Sequence, residues 1–279
     1  MKYGNIILDG VIFNGDVDLA NISATGIVSL KEAVINGYLD IDGAKAERFD
    51  LVDISVAGYL SAGCNSRDGS YLSRAFINGD VNVADCLFRS PFVGNNMTVG
   101  GDFLSSNAEY KAALVLSKTK LRGTLDLEEA QIKKCAAKKI EAGAAYLQNT
   151  NFYEAASFHG SIFRDECLVY GATFHGDADF SGVEARDGID GEEDGSTLDC
   201  RGMFCLAGAR SGGDIDLDSA SLGSLDIRKA EIEGNFYLQN SEIKGDFFYV
   251  GGLIKGSLEL EDASVNVLTG LTVEGGVSF

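Results

Sequence analysis

The chain has 279 residues and a net charge of −19, from 42 acidic against 23 basic residues. That charge argues against nucleic-acid and anionic-membrane binding and favours partners with a basic surface. No apolar run reaches the ~20 residues of a membrane span. Six cysteines without a secretory leader point to a reducing compartment, so the expectation is a soluble cytoplasmic protein; an exported effector without a cleavable signal would read the same.

In chain order, a phrase of Gly, any residue, then apolar–x–apolar starts at Gly15, Gly37, Gly58, Gly79, Gly101 and Gly123. It returns at Gly234, Gly245 and Gly256, 11 apart. A fixed period is the mark of a repeat architecture. Between the glycines, apolar dyads follow one another at five- or six-residue steps: Val28/Leu30, Ala33/Ile35, Leu39/Ile41, Ala44/Ala46, Phe49/Leu51 and Ile54/Val56. Members of a dyad are two residues apart and so face one side of an extended segment. Four such edges make a coil of 21–22 residues, and stacked coils bury a core that no single repeat could bury. Leu39, Ile41, Leu51, Leu125, Leu127, Leu238, Ile243, Leu258 and Leu260 are expected inside, and Asp40, Asp50, Asp126 and Glu259 outside. Dividing length by period gives about 13 coils and, at ~4.8 Å each, a rod of roughly 60 Å. Residues 1–279 are read as a single β-solenoid domain.

The motif of a small residue, a polar residue and a central Leu, Ile or Phe resembles the pentapeptide-repeat proteins. It is carried by Ala130-Gln131-Ile132, Ala172-Thr173-Phe174, Ala178-Asp179-Phe180, Ala230-Glu231-Ile232 and Ala263-Ser264-Val265. The resemblance implies a right-handed quadrilateral β-helix. Some members of that family bind a type II DNA topoisomerase by imitating duplex DNA, and C-terminal dimers are known among them.

Where the phrase fails, insertions are expected. Residues 64–72 and 89–96, the latter holding the only proline, read as corner loops, with a weaker one over 107–112. Residues 133–142, Gly-free and rich in Ala and Lys, have Ile132, Cys135 or Ala136, and Ile140 at helical spacing. This predicts a short amphipathic helix on the solenoid flank. It lies in the basic stretch 111–140, where eight Lys or Arg face three acids, so Lys133, Lys134, Lys138 and Lys139 are candidate contacts for an acidic partner. Residues 186–197 read as an acidic loop, with Asp187, Asp190, Glu192, Glu193 and Asp194 as candidate partner-binding carboxylates. Its spacing is not that of an EF-hand, and no metal is expected there.

Residues suited to catalysis do not converge. His159 and His175 both follow a Phe within Phe-His-Gly and read as repeat decoration, and there is no zinc spacing. Cys64 with Cys86, and Cys200 with Cys205, read as reduced core thiols. No phosphate loop with Lys-Ser or Lys-Thr occurs. The sequence is therefore read as a non-enzyme without cofactors: a protein–protein scaffold, with topoisomerase-binding DNA mimicry as the alternative and a substrate-binding arm of an enzyme or effector as a third class. Apolar C-terminal coils ending in Leu271, Val273, Val277 and Phe279 predict an end-to-end homodimer.

Overall fold

Inward dyads at five-residue steps leave each straight edge only two or three residues long, so the strands are short and numerous. The computed structural model describes residues 3–63, 65–185, 202–264 and 270–279, and among these all regular structure is strand. One coil shows the plan. Ile27–Ser29 forms a first face, Val34–Ile35 a second and Leu39–Asp40 a third. Lys45–Asp50 forms the fourth and runs on, unbroken, into the first face of the next coil. Equivalent strands pair in parallel: Val28 with Phe49, Val34 with Ser55, Leu39 with Leu60, Ala46 with Ser66. The second and third faces are 11-stranded sheets, and the first and fourth join in a 20-stranded one.

The stack has 11 turns on those faces, not about 13. Cys167 pairs with Phe204, 37 residues on (204−167), whereas Val17 pairs with Leu39 at the usual 22 (39−17). The chain between Ala185 and Gly202 thus adds no described rung. All nine predicted core residues are buried. Among the aromatics, Phe152 stacks on Phe174 at 4.9 Å and Phe158 on Phe180 at 5.1 Å, coil upon coil.

Each corner has its own chemistry. The first and third corners, which follow the first and third faces, turn through a left-handed residue every 10 or 11 positions: Gly10, Asn21, Glu32, Gly43, Asp53. Asn and Asp tolerate that conformation better than other non-glycine residues. The second corner is a column of glycines whose backbones touch. The Gly58 N–H donates to the Gly37 carbonyl at 2.8 Å and the Gly79 N–H to the Gly58 carbonyl at 2.9 Å. A Cβ on Gly123 would lie 2.0 Å from Oδ1 of Asp102. Repeat glycines were therefore set by close approach rather than by φ. Gly234 and Gly256 lie on the fourth corner, and only Gly245 of the late trio continues the second.

Five expectations are corrected. Residues 133–142 are not a helix: Gln131–Ala136 and Glu141–Ala142 are strands. From Ala130 to Phe152 the positions that face the core are 130, 132, 135, 137, 140, 142, 145, 147, 150 and 152, with Ala144 buried besides at the second corner. Their steps alternate two and three, and the threes arise where two residues turn a corner, which imitates helical spacing. Residues 65–71 and 109–115 do not leave the coil but are strands with a bulge, between Ser66 and Gly69 and between Tyr110 and Ala113. In 89–96, Phe92–Val93 and the rungs around it stay in the ladder, and Pro91 precedes the strand, where a missing N–H is tolerated. Asp50, expected on the outer side, is nonetheless covered. It is 6% exposed, held by Lys31 at 2.8 Å and Arg48 at 3.6 Å.

A candidate interaction surface on the fourth corner

Many acids of this chain serve its own backbone. In the Gly-Asp phrase the aspartate follows a corner glycine and accepts from the N–H one coil on: Asp16 from Tyr38 at 3.1 Å, Asp80 from Asp102 at 2.9 Å, Asp102 from Thr124 at 2.7 Å. At the end of third-face strands, Asp18, Asp40 and Asp126 accept from the N–H two residues on, at 2.8–2.9 Å. Such side-chain caps satisfy corner amides that no neighbouring strand reaches. Asp226 is buried and gripped by Arg228, with Nε at 3.0 Å from both carboxylate oxygens.

The fourth corner is different. Its glycines bend the first and last coils, but from Glu47 to Tyr153 the corner carries side chains instead. Pairing stacks Arg67, Arg89, Lys111 and Lys133 on successive coils, each 22 residues after the last. All four are exposed. Arg67 and Lys111 stand on the two bulges, which re-aim side chains out of a ladder. Gly69, at φ 128°, closes the first bulge. Lys111 pairs with Glu109, and Lys133 with Glu154 at 3.7 Å.

The predicted lysines are thus split. Lys133 and Lys134 sit on this basic corner, whereas Lys138 and Lys139 lie on the first corner, across a face from them; Lys139 occupies its left-handed position. All four are exposed. Arg67 and Arg89 were missed, although their 22-residue spacing to Lys111 and Lys133 is visible in the sequence. Asp187, Asp190, Glu192, Glu193 and Asp194, with Cys64 and Cys200, lie outside the described residues. At the other end, Val277 and Phe279 are exposed, whereas Leu271 and Val273 are half-buried.

The histidines occupy unlike corners, contrary to expectation. His159 sits in a left-handed turn and meets Ser181 Oγ through Nδ1 at 2.8 Å; His175 stacks on Tyr153 at 5.3 Å. Ser181 in turn donates to Asp179 at 2.6 Å. That order leaves the hydroxyl between carboxylate and imidazole, a cross-coil tie rather than a base-activated nucleophile. Burial pushes the Cys135 thiol up to about 12 and raises those of Cys167 and Cys205, which suppresses the reactive thiolate.

The comparisons bear on the middle of the chain. The family model described as pentapeptide repeats (9 copies) matches residues 142–184. Over that stretch the chain carries pentapeptide repeats, and the described residues form a β-solenoid of 11 turns. The matched stretch opens within the run of alternating two- and three-residue steps, and a 20-residue coil joins Leu125 to Ala145 (145−125). Beyond it, inside the matched stretch as elsewhere, longer corners stretch the coil to 22 residues, as from Ala145 to Cys167 and from Asn151 to Thr173, and loosen the pentapeptide in sequence while keeping it in space. A comparison with curated proteins finds no match.

Proposed function

We propose that this pentapeptide-repeat β-solenoid is a non-catalytic scaffold for protein–protein interaction. The observation that carries the reading is the fourth corner: a rigid ladder holds four cations in register, one per coil, on a chain that is otherwise acidic. Binding groups on a stiff support are the usual arrangement for recognition. The β-solenoid of this family is typical of interaction scaffolds, and the family is generally non-catalytic. The partner offers a basic surface to the acidic corners or an acidic one to Lys133 and Lys134. The test is affinity capture with the intact protein beside Lys133→Glu/Lys134→Glu and Asp126→Asn/Glu128→Gln variants. A partner lost by one pair and kept by the other supports the scaffold; identical capture by all three argues against it.

Topoisomerase binding by DNA mimicry is the second reading, favoured by charge. Eleven coils at ~4.8 Å give roughly 50 Å, or about one net charge per 2.6 Å, against one per ~1.7 Å in duplex DNA. Mimicry needs one continuous acidic face. The first corner instead changes sign, from Glu32 and Asp53 to Arg74, Asn96, Lys118 and Lys139 in order, which ranks mimicry below the scaffold. Failure to inhibit supercoiling by a purified type II topoisomerase would remove it. We also propose a homodimer through Leu271, Val273, Val277 and Phe279, supported by a Phe279 that is 85% exposed. Light scattering should report about twice 29.6 kDa, and Phe279→Ser should shift the protein toward monomer.

A further inference from the structure

The first bulge opens the fourth corner into a cleft of about 410 Å³, lined by Lys45, Arg67 and Arg89 together with Glu47, Ser23 and Thr25. Its size lies within the range of small-ligand sites. The cations of this cleft differ from those around it. Arg48 is engaged by Asp50 and Asp68, Lys111 by Glu109 and Lys133 by Glu154. Among the described residues, no carboxylate pairs with Lys45, Arg67 or Arg89. Three like charges share one hollow at the repulsive cost of their proximity.

We propose that this cleft binds a phosphate monoester. Three cations against Glu47 leave a lining charge of +2 (3−1), which a phosphate monoester dianion at −1.5 to −2 neutralises. Two guanidiniums supply the planar forks that suit phosphate oxygens, with the Lys45 ammonium as a point charge beside them. The ligand is compact, because the column spans about three 4.8 Å steps and Glu47 stands at its foot. A nucleic-acid strand running on along the rod would meet the acids of later coils, Glu231 and Glu233. Thr25 Oγ1 is already spent on the Tyr3 carbonyl at 3.1 Å, so Ser23 is the hydroxyl available to the ligand. The phosphate is carried either by a small molecule or by a phosphorylated side chain of a partner. The site does not depend on the scaffold reading.

The test is calorimetric titration of the intact protein with free O-phosphoserine, a phosphoserine peptide and the same peptide unphosphorylated. The expected result is saturable binding of the phosphorylated probes at one site per chain, weakening with salt. Arg67→Gln or Arg89→Gln should each loosen it about tenfold, with thermal melts unchanged. Glu47→Gln should tighten it severalfold, which a purely structural role for these residues would not produce. A peptide bound much more tightly than free phosphoserine assigns the phosphate to a partner protein, and equal affinities assign it to a small molecule. No saturable binding of either phosphorylated probe at millimolar concentration overturns the proposal. So does equal binding of the unphosphorylated peptide, or wild-type affinity in the folded Arg67→Gln/Arg89→Gln double variant.

Discussion

The second and fourth corners do the same geometric job with opposite means. At the second, glycine backbones stack in direct hydrogen-bonded contact from Gly37 through Gly58, Gly79, Gly101 and Gly123 to Gly143, and no side chain fits between coils. At the fourth, the middle coils run straight or bulge, and Arg67, Arg89, Lys111 and Lys133 project. Where the architecture touches itself, it dictates the residue. Where it does not, the sequence is released for other uses.

Substitutions can break or sharpen that contrast. Between the corners, the faces set the upper scale. Ile41 is fully buried, and Ile41→Asp should cost about 4 kcal/mol by burying an unpaired carboxylate, read as a drop in the urea midpoint. Gly123→Ala comes next, at about 3 kcal/mol, because the new methyl overpacks the second corner. It also displaces Asp102 from the Thr124 N–H it caps. A thermal melt within a degree of wild type would show that this corner can relax. Asp40→Ala removes one cap, to the Asp42 N–H at 2.8 Å, and should cost about 1 kcal/mol in the same melts. Smallest is Arg89→Gln on the fourth corner. An exposed side chain with no ion-pair partner among the described residues should change stability by less than about 0.5 kcal/mol, and a larger loss would mean the basic column is structural after all.

The fold was legible because dyad spacing survives every irregularity. Leu39/Ile41 and Phe49/Leu51 read correctly, since strand alternation is a local property of the backbone. What failed was what depends on the neighbouring coil. Asp50 was placed outside by alternation, but it lies at the end of a strand that turns the fourth corner, and Lys31 from the preceding coil comes in to meet it. Ile132, Cys135 and Ile140 read as a helical face because a corner crossing every five residues mimics that period. The basic column was harder still: Arg67 and Arg89 lie in segments read as loops, and only the 22-residue period, applied to charge as it was to glycine, connects them to Lys133.

The jump from Cys167 to Phe204 carries a consequence for how such a chain changes length. Ala185 still stacks on Leu222, and Phe204 takes the rung that Cys167 prepares. Fifteen or so residues were thus added at the second corner without shifting any later rung out of phase. A β-solenoid of this kind behaves like a bound book: a leaf can be tipped in at the fold of one page while the page numbers after it keep their order. The second corner at Ala185 is therefore a port for foreign sequence, a place where a peptide or a small domain could be displayed on the rod while the coils on either side keep their pairing.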